Sequence, residues 1–166
     1  WYFGMKAGIQ FGTGTPTPIN NNSLSSGSTN VTISDSLGQL LFYANAQFAY
    51  NRFNTLMPNG AIINTGGSEQ QSIVAFPEIS NDSLFYLFTV GTRGWPYFIF
   101  SDGLGYSVLN MNLAGGLGDI IPGQKNLPVL GASKASGAVT AIKAANNKDI
   151  WVVTRIHDPD SNYFAA

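Results

Sequence analysis

The sequence predicts an all-β protein, a partial β-propeller of about three blades of antiparallel strands. Three observations predict it. Only 10% of the 166 residues are charged, against 44% hydrophobic and 13% aromatic, whereas an average domain is about a quarter charged. Short aromatic and β-branched runs are bounded by Gly, Asn and Ser clusters, the signature of strands and turns. The order strand, polar turn, aromatic strand then occurs three times; the first interval is close to the 40 to 50 residues of one four-stranded blade, and the second is longer because of insertions.

The elements follow in order. Trp1-Tyr2-Phe3 and Ala7 to Phe11 read as strands separated by Gly4, and Gly12 to Thr29 reads as a loop in which Pro16 and Pro18 forbid a ladder. Residues 1–30 are thus N-terminal strands and a loop. A first blade over 31–70 holds Val31 to Ile33, the turn Ser34 to Gly38, the strand Leu40 to Tyr43 and the strand Phe48 to Phe53. In that last segment Phe48, Tyr50 and Arg52 alternate with Ala49, Asn51 and Phe53. Met57-Pro58-Asn59-Gly60 reads as a β-turn before the apolar piece Ala61 to Ile63. A second blade over 71–137 repeats the grammar with Ser72 to Phe76, the turn Glu78 to Ser83 and Leu84 to Phe88. Its third strand alternates Leu109, Met111 and Leu113 with Val108, Asn110 and Asn112. Gly91 to Gly103 and Gly115 to Gly137 are insertions. A third, truncated blade over 138–166 contains Val139 to Lys143, the turn Ala144 to Lys148, Ile150 to Thr154 and Tyr163-Phe164. The alanines of Lys134 to Ala145 are compatible with a helix; Gly137, Thr140 and the place in the repeat favour a strand. Phe42, Phe85 and Trp151 are aligned as equivalent positions. Each unit has an apolar face that only a stacked neighbour hides, and a sandwich of two irregular sheets is the competing architecture. With a blade period in the forties, 166 residues make roughly half a ring, so an open edge is expected.

Composition excludes several functions. Eight Lys and Arg against nine Asp and Glu give a net charge of -1, with no basic face for nucleic acid. The absence of cysteine removes disulfides, thiolate metal sites and thiol nucleophiles. No apolar run approaches the roughly 18 residues of a membrane helix. The chain begins at Trp1 with neither an initiator Met nor a signal peptide, so a processed chain or an excerpt is expected.

Candidate sites are few. The only histidine, His157, has no Gly-x-Ser-x-Gly elbow or other nucleophile motif beside it and reads as a turn residue. Asp158, Asp160 and Asn162 have the oxygen spacing that opens a calcium loop but lack its Gly and closing Glu. Asp35, Asp82 and Asp149 sit at corresponding turns and are explained by local bonds to backbone N–H groups. Gly115-Gly116-Leu117-Gly118-Asp119 lacks the Lys-Ser/Thr of a phosphate loop and reads as a connection permitting positive φ. Trp95, Tyr97, Phe98 and Phe100 form an aromatic cluster suited to a carbohydrate or protein partner, or to covering a blade edge. Gln71, Ser72 and Lys143 fall on innermost strands, near the mouth of a central channel. No catalytic residue, metal or cofactor is assigned. A propeller-based hydrolase, acting on lactones or glycans, would need convergent groups among Glu69, Glu78, Asp102 and His157.

The segments also carry a family pattern. It comprises Trp1-Tyr2-Phe3-Gly4 with Ala7 to Phe11, Ile33-Ser34-Asp35 with Gly38 to Tyr43, and Met57-Pro58-Asn59-Gly60. It continues through Gln71 to Val74, Tyr86 to Val90, Tyr106-Ser107-Val108, Gly115 to Asp119, Thr140 to Lys143, Asp149 to Thr154 and Ser161 to Phe164. In this the chain resembles secreted Bacteroidota proteins with an N-terminal, WD40-like β-propeller, labelled gliding-motility-associated or as carrying a type IX secretion sorting domain. Two places depart from the pattern: Ser28 to Val31 replaces a Cys-containing segment, and Ala44-Asn45-Ala46 replaces a Thr-Asp-Gly turn. The resemblance implies a non-catalytic structural or interaction module, extracellular or at the cell surface, with a protein or carbohydrate partner. It also implies a full propeller about twice this length, followed by repeats and a sorting signal.

Overall fold

The computed structural model describes residues 1–12, 14–25, 29–61, 63, 71–91, 103–157 and 160–166. Among these, every regular element is a strand, and the strands form four small antiparallel sheets in chain order. Sheet I contains β1 (Tyr2–Phe3), β2 (Ala7–Gln10) and β3 (Thr17–Ile19). Sheet II is the meander β4 (Val31–Ser34), β5 (Leu40–Ala44), β6 (Phe48–Asn51) and β7 (Leu56–Ala61). Sheet III orders β8 (Ile73–Glu78), β9 (Asn81–Val90), β10 (Leu104–Asn110) and β11 (Asp119–Ile120), with β12 (Leu127–Pro128) also on β10. Sheet IV contains β13 (Ala135–Lys143), β14 (Ile150–His157) and β15 (Asn162–Ala165).

The sheets stack face to face in sequence, and the alternation of side chains along each strand decides which neighbour each residue meets. Tyr2, Leu24 and Tyr43 fill the layer between sheets I and II, with Tyr2 edge-on to Tyr43 at 4.9 Å. The Tyr2 N–H donates to Thr32 Oγ1, whose hydroxyl donates back to the Tyr2 carbonyl, tying β1 to β4. Phe42, Ala44, Ala49 and Met57 of sheet II meet Ile73, Phe85, Leu87, Leu109 and Ile120 of sheet III. Val90 and Leu104 of sheet III meet Val139 and Ile156 of sheet IV, across Ala132 and Ala135. Burying each large apolar side chain contributes about 1.5–3 kcal/mol, so the three layers hold the stack together.

Three expectations are corrected. Pro18 lies inside a ladder, opposite Ile9. It is tolerated because β3 is an edge strand, where one row of backbone groups lacks a partner. Met57 to Gly60 belongs to β7 instead of forming a turn. The pairing jumps from Phe48↔Ala61 to Tyr50↔Leu56, so the Pro-Asn-Gly propensity is absorbed as an irregularity on an edge strand while Met57 drops into the core. The alignment of Phe42 with Phe85 also slips, while Trp151 takes the same side of its sheet as Phe42. Phe42 points from sheet II toward sheet III and Phe85 points from sheet III back toward sheet II, so the two rings touch at 5.2 Å instead of being equivalent. Trp151 lies on the side of sheet IV turned away from sheet III, as shown by its neighbour Val152 packing inward. A one-residue slip in a strand moves a side chain to the opposite face, and an apolar run such as Leu84 to Phe88 gives no cue to which face each residue takes. The alanine-rich stretch from Ala135 is strand, with an irregular register between Ala135 and Val139.

Low charge is explained by how the turns close. Asp35 Oδ1 accepts from the N–H groups of Leu37 and Gln39. Asn45 Oδ1 does the same for Gln47 and Phe48, and Asn51 Oδ1 for Phe53 and Thr55. Asn146 Oδ1 accepts from Lys148 and Asp149 in the turn between β13 and β14. A neutral amide caps a turn as well as a carboxylate does, so Asn45 closes the hairpin between β5 and β6 without a charge.

Candidate functional site

The sequence-predicted residues fall into three groups. Trp95, Tyr97, Phe98 and Phe100 lie outside the described residues, as do Glu69, Asp102 and Asp158. Gln71 and Ser72 stand immediately before β8, beside the start of β13. The Gln71 carbonyl accepts from the Val139 N–H at 2.9 Å, and Gln71 forms a parallel bridge with Ala138. Ser72 is fully buried; its N–H donates to Thr29 Oγ1 and its carbonyl accepts from the Val90 N–H. Lys143 is exposed at the far end of β13, about 17 Å from Ala138 at the rise of an extended strand. The structure therefore brings Gln71 and Ser72 together and leaves Lys143 apart from them.

The first strands β4, β8 and β13 of sheets II to IV lie side by side, and Ser72 sits where they converge. Among the described residues its buried hydroxyl has no hydrogen-bond partner. An unpaired buried hydroxyl costs more than it contributes, so Ser72→Ala is expected to leave stability unchanged or raise it by up to about 1 kcal/mol. Urea denaturation of the two chains measures the difference; a clear loss of stability shows that the hydroxyl has a structural partner.

Among the described residues the candidate catalytic groups His157 and Glu78 lie on different sheets. His157 Nδ1 hydrogen-bonds Asn162 Oδ1 at 2.5 Å, and Arg155 Nη2 donates to the same oxygen at 3.1 Å. That oxygen is thereby turned to two nitrogen donors, an arrangement opposed to its serving as a calcium ligand with Asp160. Glu78 is the last residue of β8, paired with Asn81 of β9. Among the described residues no three His, Cys, Asp or Glu side chains gather into a metal-binding group. Among the described residues no helix is long and apolar enough to cross a membrane.

Two clefts open on the edge that carries the first hairpin turns. One, of about 370 Å³, lies between sheets III and IV and is lined by Phe76, Tyr86 and Ile150 with Glu78, Lys148 and Asp149. The other, of about 670 Å³, lies between sheets I and II and is lined by Trp1, Phe11, Leu40, Gln10, Gln39 and Arg52. Arg52 is held by a bond from Nη1 to the Gly116 carbonyl at 3.0 Å, and its guanidinium lies over the Phe53 ring. Sequence reasoning missed the aromatic ladder that leads into the first cleft. Phe76 stacks on Phe88, and Phe88 on Tyr106, across three neighbouring strands. The signal was the i, i+2 pair Tyr86 and Phe88, but recognising the ladder required the registers of β8 and β10.

The tyrosines of the layer between sheets I and II are structural. Burial pushes the Tyr43 hydroxyl above its usual range, opposed in part by the hydrogen bond from the Ser23 N–H, and burial likewise raises Tyr50. The Tyr43 hydroxyl also donates to Asn54 Oδ1. Both phenols are therefore kept neutral as packing groups and hydrogen-bond partners.

No family model matches the chain, and no curated protein or solved structure matches it.

Proposed function

We propose that the chain is a four-sheet section of a β-propeller that serves as a non-catalytic structural and interaction module of a secreted or cell-surface protein. The observation that carries this reading is the serial stack: among the described residues each sheet packs on its neighbours in sequence, and the first strands β4, β8 and β13 lie side by side. A parallel bridge between successive units, Gln71 to Ala138, is the relation expected of innermost strands around one axis. Asn- and Ser-rich turns with few ionisable groups suit a scaffold that presents surface and does no proton transfer. The resemblance to the Bacteroidota gliding-motility and type IX secretion proteins supplies the location, outside the cell, and an adhesive or assembly role with a protein or carbohydrate partner.

An antibody raised against the folded chain and applied to intact cells of the native host tests the location. Labelling of intact cells is the expected result. Signal that appears only after lysis overturns the surface assignment. An experimental structure tests the architecture: sheets fanned about one axis support the propeller, and sheets stacked without a common axis overturn it.

A further inference from the structure

We propose that the cleft between sheets III and IV is a binding site for a neutral saccharide, the terminal unit of a glycan. The inference rests on the interaction-module reading above and gives it one partner class and a place. The two sheets close on each other at one end, where Val90 and Leu104 meet Val139 and Ile156. Strand twist carries packed sheets apart away from such a contact. Toward the hairpin turns β13 presents Ala141 on the same side as Val139. With only a methyl group there, a cleft of about 370 Å³ remains. That is at the small end of ligand sites, so it takes one end of a glycan and not a stretch of chain.

One wall of the cleft is aromatic and held in place. Phe76 and Tyr86 line it, and register puts both on the side of sheet III that carries Phe88 and Tyr106 and faces sheet IV. Phe76 stacks on Phe88 and Phe88 on Tyr106, each at 5.6 Å, while Tyr86 lies 6.1 Å from Phe76 and 6.2 Å from Tyr106. All four rings are half-buried, so the pair at the cleft keeps open ring surface and the pair behind braces it. The face of an aromatic ring is negatively polarised and attracts the C–H groups that cover one side of a pyranose. A platform ordered before the ligand arrives keeps the cost of binding low.

The polar groups decide the charge of the ligand. Glu78, Lys148 and Asp149 line the same cleft. Among the described residues the Lys148 ammonium has no partner within the chain, and Glu78 has only the Ser80 hydroxyl, 3.3 Å from its Oε1. Asp149 Oδ2 accepts from Asn146 Nδ2 at 2.6 Å. An anion gains Lys148 but faces two carboxylates; a cation gains the carboxylates but faces Lys148. A hydroxyl both donates and accepts, so neighbouring hydroxyls of a sugar satisfy both signs at once. The turn that carries two of these groups is preset: the Lys148 and Asp149 N–H groups donate to Asn146 Oδ1, and the Ala144 N–H donates to the Asp149 carbonyl at 2.9 Å.

Saturation-transfer difference NMR on the unmodified chain, with irradiation of aromatic protons, tests the proposal against the methyl glycosides of glucose, galactose and mannose and against cellotetraose. At least one of these neutral sugars should saturate at about 0.1–10 mM, with transfer to its ring C–H protons. The uronic acid and the amino sugar of the same hexose should bind less tightly. Lys148→Ala and, separately, Glu78→Gln should weaken binding about fivefold or more at an unchanged melting temperature, and Tyr86→Leu should remove the transfer. Trp151→Ala, on the side of sheet IV turned away from the cleft, should leave binding as it is. No saturation by any of these sugars up to about 50 mM overturns the proposal, as does tighter binding of a charged sugar or binding that survives Lys148→Ala, Glu78→Gln and Tyr86→Leu alike. Binding lost in Trp151→Ala places the sugar on the outer face and overturns the cleft. If no sugar binds while intact cells are labelled, the surface module stands and only the cleft fails; sugar binding by a chain labelled only after lysis keeps the cleft and removes the location.

Discussion

Phe42→Ala is expected to lower stability by about 3–5 kcal/mol, the cost of deleting a large ring from a packed core. Phe42 is fully buried in the layer between sheets II and III, and its ring meets Phe85 edge-on at 5.2 Å. Truncation leaves a cavity that neither sheet can close, because Ala44 and Ala49 beside it are already small and the backbones are held by their own ladders. For a domain of this size the melting temperature should fall by about 6–20 °C. Leu130→Ala, at a fully exposed position, is the control and should change stability by less than about 0.5 kcal/mol. Urea unfolding of both variants checks the contrast; a small effect at Phe42 means that the layer between sheets II and III is loosely packed.

Asp119→Ala should be the next most damaging substitution, by about 2–4 kcal/mol. The carboxylate is buried and accepts three hydrogen bonds: from the Asn59 N–H and side-chain amide, both at 2.8 Å, and from the Ile120 N–H at 2.9 Å. It thereby joins β7 of sheet II to β11 of sheet III. Removing it leaves those donors unpaired in a water-poor layer, which costs more than the bonds contributed. Asp119→Asn keeps one acceptor oxygen and should lose about half as much. Denaturant midpoints for the three chains give the order; equal losses for Ala and Asn show that charge, and not bond count, is what the site requires.

The same region shows where sequence reasoning ended. Gly115 to Asp119 is legible as a glycine-rich connection, and Gly115, Gly116 and Gly118 do adopt φ of 67°, 83° and 84°. At Gly118 an added Cβ would also meet Met111 Sδ at 2.8 Å. That the connection exists to deliver Asp119 to Asn59, a partner 60 positions away, depends on two sheets docking and leaves no local mark. Met57 to Gly60 shows the reverse: its local turn propensity is strong, and burial of Met57 together with pairing to β6 overrides it. The candidate site was only partly legible. Gln71 and Ser72 fall beside the start of β13, while the distance to Lys143 follows from strand length. The aromatic ladder Phe76, Phe88 and Tyr106 belongs to three strands whose registers no single segment specifies.

Local sequence, then, determined the all-β character, most strand positions, the amide-capped turns and the scarcity of ionisable groups, because each depends on propensities and hydrogen bonds acting over a few residues. Tertiary structure alone decided which face each strand turns to which neighbour. Along an apolar run such as Leu84 to Phe88 both faces are equally apolar, so only docking tells Phe85, which meets sheet II, from Phe88, which is turned to sheet IV. Docking likewise separates the buried ring of Phe42 from the bare one of Trp151. Both are aromatic residues on the second strand of their sheet, pointing to the following side; sheet III covers one, and no sheet among the described residues covers the other.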